Sequence, residues 1–95
     1  MSVRITCINK DNGDHYDQHL AITHLGWLED GTEKRGKATR LQIVEFIENG
    51  NYAYVEDNYG NIAKLIVKVS YAGNKYVKTV SDGKETNNLL ALSEC

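Results

Sequence analysis

The three histidines of the chain, His15, His19 and His24, fall within ten residues of one another. Neutral imidazole is a common zinc ligand and thiolate is its natural companion. Cys7 and Cys95 are the only cysteines, so Cys7, His15, His19, His24 and Cys95 together could supply a tetrahedral metal site. The spacing argues otherwise. An i, i+4 pair such as His15 and His19 clamps a metal when both rings share a helical face, whereas "HYDQH" reads as a polar loop entering a strand. Neither Cys-x-x-Cys nor His-Glu-x-x-His is present. These five residues are weak metal candidates, and no metal or other cofactor is expected.

The same residues could form a cysteine–histidine nucleophile pair. Cys7 lies in an alternating apolar stretch, where burial raises a thiol's pKa and makes it inert. It reads as a small core hydrophobe. Cys95 sits beside a carboxyl terminus, which also disfavours the thiolate. Two cysteines are too few for a disulfide scaffold, and a reducing compartment would keep both as thiols. With no Ser-His-Asp order, phosphate loop or dinucleotide fingerprint in view, no catalytic residue is assigned and no enzymatic activity is expected.

Binding chemistry is better represented. In "KRGKATR", Lys34, Arg35, Lys37 and Arg40 crowd the approach to a helix start at Thr39, where free amides and a partial positive charge favour an anion. A second cationic surface is expected on a sheet, where Lys64, Lys68 and Lys78 interleave with Tyr52, Tyr54 and Tyr76. Lysine with aromatics on an open sheet can stack single-stranded bases. Glu45, Glu48, Glu56 and Asp57 dilute that field, and the formal charge of the chain is −2, so nucleic acid is the lesser expectation.

These groups must be positioned by a small set of elements. "SVRITCIN" alternates Val3, Ile5 and Cys7 against Arg4, Thr6 and Ile8, the period of a half-buried strand. "HLAITHLGW" alternates again, with Leu20, Ile22 and His24 opposite Ala21, Thr23, Leu25 and Trp27. "EDGTEKRGK" reads as a flexible charged connection. "TRLQIVEFIENG" is the convincing helix, with Thr39 as cap, Gln42 as its capping-box partner, Leu41, Val44 and Ile47 on one stripe beside Ile43, and Gly50 as the stop. Three strands follow: "NYAYVED", "IAKLIVKVSY" and "KYVKTVS", the last closed by Asp82-Gly83. In the longest, Ala63, Leu65, Val67 and Val69 oppose Lys64, Ile66 and Lys68, which marks one covered and one wet face. Leu89, Leu90 and Leu92 should dock the tail on the core as a final turn or short helix.

The expected fold is therefore α+β: a largely antiparallel sheet of about five strands, in the order strand-strand-helix-strand-strand-strand, with one main helix on one face. Ninety-five residues, 41% of them hydrophobic and 25% charged, suit a single compact domain over residues 1–95. No apolar run approaches a membrane span or a signal-peptide core, so a cytoplasmic, non-membrane protein is expected.

The last third of the chain carries a resemblance. Tyr76, Lys78, Thr79, Asp82, Gly83, Asn88, Leu89, Leu90, Leu92 and Cys95 form the pattern tyrosine, any, basic, threonine, then Asp-Gly, then Asn-Leu-Leu-x-Leu-x-x-Cys. With the early "ITCI" and "HLAITHLGW" stretches, this resembles a family of small bacterial proteins, domain-of-unknown-function family 3892, from Ile5 to Cys95. Where that family has proline before its last two residues, this chain has Ser93. The resemblance implies a bacterial or phage origin and a compact domain, and brings no catalytic residues with it. The function expected is a binding or interaction module for a protein or a small anionic ligand, using Lys34, Arg35, Lys37, Arg40, Tyr54, Lys64, Lys68, Tyr76 and Lys78. Weak nucleic-acid binding and small-metal binding are the alternatives. Assembly is expected to be a monomer, or a homodimer through a sheet edge.

Overall fold

The computed structural model describes residues 2–11, 13 and 18–95. Strand β1 (Ser2–Lys10) leads through a 3₁₀ turn (Gln18–Ala21) to β2 (Ile22–Glu29), β3 (Arg35–Thr39) and helix α1 (Arg40–Glu48). Then come β4 (Tyr52–Glu56), β5 (Ile62–Val69), β6 (Lys75–Ser81), β7 (Lys84–Thr86) and a second 3₁₀ turn (Asn88–Ala91). Among the described residues these strands form one seven-stranded sheet, ordered β3-β2-β1-β4-β5-β6-β7. All neighbours are antiparallel except β1 and β4, which run parallel.

The α+β class and the mostly antiparallel sheet agree with the sequence, but the strand count and order do not. Where about five strands are expected there are seven, and the helix follows the third strand. The added strands are β3, drawn from the stretch read as a charged connection, and β7, which extends the sheet past Asp82-Gly83. Neither carries an apolar period. β3 is recruited by the backbone of β2, pairing Leu25 with Ala38 and Trp27 with Gly36. Gly36 is required there, because a Cβ on it would lie 2.8 Å from Cζ2 of the Trp27 indole that covers it.

Helix α1 starts as its sequence dictates. Thr39 Oγ1 accepts from the Gln42 N–H at 3.2 Å, and Gln42 Oε1 accepts from the Thr39 N–H at 2.8 Å. Such a cap contributes about 1 kcal/mol. The helix ends at Asn49, and Gly50 takes the left-handed conformation (φ 92°) that stops it. Ile43 and Val44 are fully buried against the sheet with Phe46 and Ile47 packed beside them, whereas Leu41 is 55% exposed. The buried stripe is thus rotated from the expected one by one position at its start. Each fully buried aliphatic there stabilises the domain by about 1.5–3 kcal/mol.

Two irregularities in β1–β2 pairing change which residues face inward. The register shifts between Ile5 and Cys7 and again between Asn9 and Lys10. Val3, Ile5 and Ile8 are buried together, with Ile22 and Leu25 opposite. A bulge adds one residue to one side, and every side chain beyond it changes face. Simple alternation, which puts Ile8 with Arg4 and Ile22 with His24, is corrected accordingly.

The tail does dock. β4 pairs with β1 only over Ser2–Arg4, which leaves the far half of that edge of β1 open. The tail occupies it: the Ile8 N–H donates to Ser93 O at 3.1 Å, the Cys95 N–H donates to Ile8 O at 3.2 Å, and Leu89 is completely buried. This register brings Cys95 beside Cys7, and the two form a disulfide with Cα atoms 5.0 Å apart. The expectation of two separate reduced thiols, with Cys7 a core hydrophobe, is overturned. The bulge turns Cys7 outward over Gly26, where any Cβ would collide with Cys7 Sγ and come within 3.2 Å of Cys95 Sγ.

Candidate binding surface

The face of the sheet opposite α1 is organised by register. One continuous line of cross-strand neighbours traverses all seven strands: Arg35, Leu28, Arg4, Tyr54, Lys64, Val80 and Glu85. Beside it, Ile66 pairs with Lys78 and Lys68 with Tyr76, and Tyr52 stands two residues before Tyr54 on the same face. Residues up to 81 positions apart in the chain are thereby placed on one surface.

The charges on this surface are unequal. Glu85 takes Lys68 at 2.9 Å and Lys78 at 3.7 Å, and these lysines hold its carboxyl below the usual range, the hydrogen bond from Lys68 foremost. Among the described residues no carboxylate forms an ion pair with Arg4, Arg35 or Lys64. An acidic chain therefore carries a cationic band on its uncovered face, and such a band attracts anions locally.

Tyr54 is fixed at the centre of the line. Its hydroxyl donates to Asp30 Oδ1 at 2.7 Å, and Ser2 Oγ donates to Asp30 Oδ2 at 2.5 Å. The Ser2 and Tyr54 hydrogen bonds, helped by the Arg4 charge, keep the Asp30 carboxyl below its ordinary pKa. The same carboxylate pushes the Tyr54 hydroxyl up to about 12, with burial adding to the effect. The rings of Tyr52 and Tyr54 stack at a centroid distance of 5.5 Å, and Tyr52 remains 44% exposed. Of this pair, Tyr52 carries most of the accessible aromatic surface.

The other residues singled out from the sequence are dispersed. Lys34, Arg35 and Lys37 stay exposed at β3, and Lys37 Nζ donates to Asn9 Oδ1 at 3.0 Å. Arg40 turns away: its Nη1 donates to Leu20 O at 2.6 Å, against the first 3₁₀ turn. The helix N-terminal amide that a phosphate would use is already capped by Thr39. Tyr76 keeps the expected face, opposite Lys68, but is buried there against His19, with ring centroids 6.3 Å apart, so its ring is not accessible.

Of the weak metal candidates, Cys7 and Cys95 are joined to each other, and thiolate ligation is closed to them in that state. His24 Nδ1 lies 3.1 Å from Thr23 Oγ1, and His19 is buried beneath Tyr76. His15 lies outside the described residues. Among those residues no group of three or more His, Cys, Asp and Glu is placed to hold a metal ion, and no helix is long and apolar enough to cross a membrane. A cavity of about 630 Å³ opens beside the β5–β6 turn between Leu20, Val69, Tyr71 and Tyr76. Its walls are mainly apolar, and Lys68, its one cation, is engaged with Glu85.

Sequence reasoning omits Arg4 from the basic set, although the signal is present: a residue flanked by the buried Val3 and Ile5 must face outward. The Ser2–Asp30–Tyr54 clamp has no comparable signal, because its members meet only through sheet register.

The chain belongs to the family described as "Protein of unknown function (DUF3892)", whose model matches residues 4–93. That span takes in β1 from Arg4 onward, strands β2 to β7, α1 and both 3₁₀ turns. No curated protein and no solved structure matches the chain.

Proposed function

Since membership of this family carries no activity with it, we propose from the geometry that the domain is a non-enzymatic binding module that recognises an anionic protein or small ligand on its uncovered sheet face. The observation that carries this reading is the cross-strand line in which Arg35, Arg4 and Lys64 form no ion pair with a carboxylate among the described residues, around a Tyr54 held rigid by Asp30. A fixed surface loses little entropy when a partner docks.

The test titrates the protein with poly-glutamate, heparin and a 20-nucleotide oligo-dT at two salt concentrations. Charge reversals Arg4→Glu and Lys64→Glu should weaken binding at least tenfold. Lys75→Glu, on the helix side where Lys75 pairs with Glu48 at 2.7 Å, should not. Indifference to the outer-face reversals, or no binding to any of the polyanions at low salt, overturns the reading. The alternative, nucleic-acid binding, draws support from Tyr52 stacked beside these cations. It requires oligo-dT to be preferred over poly-glutamate, with affinity falling steeply as salt rises.

Compartment belongs to the same proposal. The expected cytoplasmic location requires the Cys7–Cys95 bridge to survive a reducing thiol pool, whereas an oxidising compartment preserves it. The bridge therefore favours an oxidising setting, within the bacterial or phage origin that the resemblance implies. Rapid alkylation of intact cells, followed by mass measurement, distinguishes the two: unmodified cysteines support the oxidising setting, and two labelled thiols support the cytoplasm.

A further inference from the structure

We propose that the open edge of β3 is a strand-docking site for an extended peptide that alternates acidic and apolar residues. The inference deepens the anionic-partner reading above and rests on it.

The backbone geometry comes first. The Glu29 N–H donates to Lys34 O at 2.7 Å, which makes Glu29 and Lys34 a hydrogen-bonded pair. In an antiparallel ladder such pairs alternate, so Gly36 and Ala38 also turn their N–H and C=O toward β2. Arg35 and Lys37 then turn theirs to the open side, where β3 is the end of the sheet. The Thr39 N–H points the same way but is taken by Gln42 Oε1. Arg35 and Lys37 together therefore present a backbone rung that is unpaired among the described residues to any chain lying alongside.

Side chains specify the occupant. Arg35 and Lys37 share the outer face with Leu28 and Gly26, their partners across the ladder. An antiparallel second copy of β3 would place these cations against one another, and like charges directly opposed destabilise a sheet pair. Acidic residues in those positions are attracted instead. On the inner face the strand offers Gly36 beneath the Trp27 indole and the half-buried Ala38. An apolar cavity of about 270 Å³ lies there between Trp27, Ala38, Ile43 and Phe46. Apolar residues of the docked strand would face that side. The competing explanation is that Arg35 and Lys37 are edge guards whose only effect is to prevent sheet-to-sheet aggregation.

The probe is the peptide acetyl-Glu-Val-Glu-Val-Glu-Val-Glu-amide, followed through Trp27 fluorescence and amide exchange at Arg35 and Lys37. In a strand, all glutamate amides point to one edge and all valine amides to the other. Methylating one set of peptide nitrogens should weaken binding at least tenfold, and methylating the other should leave it nearly intact. Binding should slow exchange at Arg35 and Lys37. On the protein, Lys37→Pro removes the outward N–H at an edge position that tolerates proline, so it should bind more weakly than Lys37→Ala, which loses only the charge.

Equal binding of both methylated peptides overturns strand docking while leaving the anionic-partner reading in place. So does binding of poly-glutamate without binding of this peptide. Failure of every polyanion to bind removes both readings. A dimer in solution that Lys37→Pro dissolves would show that the edge belongs to a second copy of the chain, and would also overturn the proposal.

Discussion

Replacing Cys7 and Cys95 together by serine removes the one covalent tie between β1 and the tail. The bridge spans a sequence separation of 88, so the unfolded chain it constrains is nearly the whole molecule. Chain-entropy arithmetic for a loop of this size gives about 4.6 kcal/mol at 25 °C, and measured disulfide contributions commonly run about 2–4 kcal/mol. A domain of 95 residues has an unfolding entropy near 200 cal/mol/K at its midpoint, so the expected fall in Tm is about 10–20 °C. What remains to hold the tail is the pair of backbone bonds at Ile8, the buried Leu89, and Leu90 and Leu92 packed on the core. The assay is thermal and urea unfolding of wild type and the double variant, each with and without a thiol reductant. Wild type should fall to the level of the variant when reduced, and its slope on denaturant should rise because the freed unfolded chain exposes more surface. A double variant within about 2 °C of oxidised wild type would refute the reasoning. So would intact-mass measurement showing both cysteines free in protein purified without reductant.

Gly26→Ala should destabilise the oxidised protein by about 1–3 kcal/mol by overpacking against the bridge; most of that cost should vanish in a Cys7→Ala, Cys95→Ala background, as a thermal double-mutant cycle would show. Carboxyl-carbon NMR should find the Asp30 titration moved up toward the ordinary range in Ser2→Ala and, by less, in Tyr54→Phe, following the order of the hydrogen bonds that lower it. The sign is that of a depressed carboxylate: Asp30 stabilises the fold above its unfolded pKa, and that contribution is lost as pH falls through the lowered value. Tyr54, raised to about 12, stabilises below pH 10 and loses its contribution as pH rises through 12, so Tyr54→Phe should remove a step of tyrosinate absorbance near pH 12. Leu89→Ala should cost about 2–5 kcal/mol in thermal or urea unfolding, because it empties a completely buried site.

What the sequence reveals here is what short range determines. Thr39 and Gln42 stand three residues apart and cap the same helix turn, so the start of α1 is readable without any knowledge of the sheet. Strands β4 to β6 are equally readable, since Ala53, Val55, Ala63, Leu65 and Val77 mark their covered side by alternation. The same alternation puts Tyr54, Lys64 and Lys78 on one outer face, and the register agrees. β3 escapes because "RGKAT" has no apolar period: its order comes from the β2 backbone and from the space that Gly36 leaves for Trp27. The bulges in β1 escape because an inserted residue leaves no mark in composition, yet it decides that Ile8 faces inward and Cys7 outward. The bridge depends on that reversal together with the tail's alignment at Ile8, two long-range events that two distant cysteines do not announce.

The bridge also decides how the molecule would carry a pull. Tension applied between Ser2 and Cys95 passes through the sulfur–sulfur bond to Cys7 and along the first residues of β1. The load is carried by the already extended backbone of β1 and the bridge, while α1 and strands β5 to β7 stay out of its path. With the bond opened, the same pull would load the non-covalent fold, and unfolding it would release about 300 Å of contour length at full extension. A reductant would thus make the domain's resistance to a pull depend on its non-covalent packing alone.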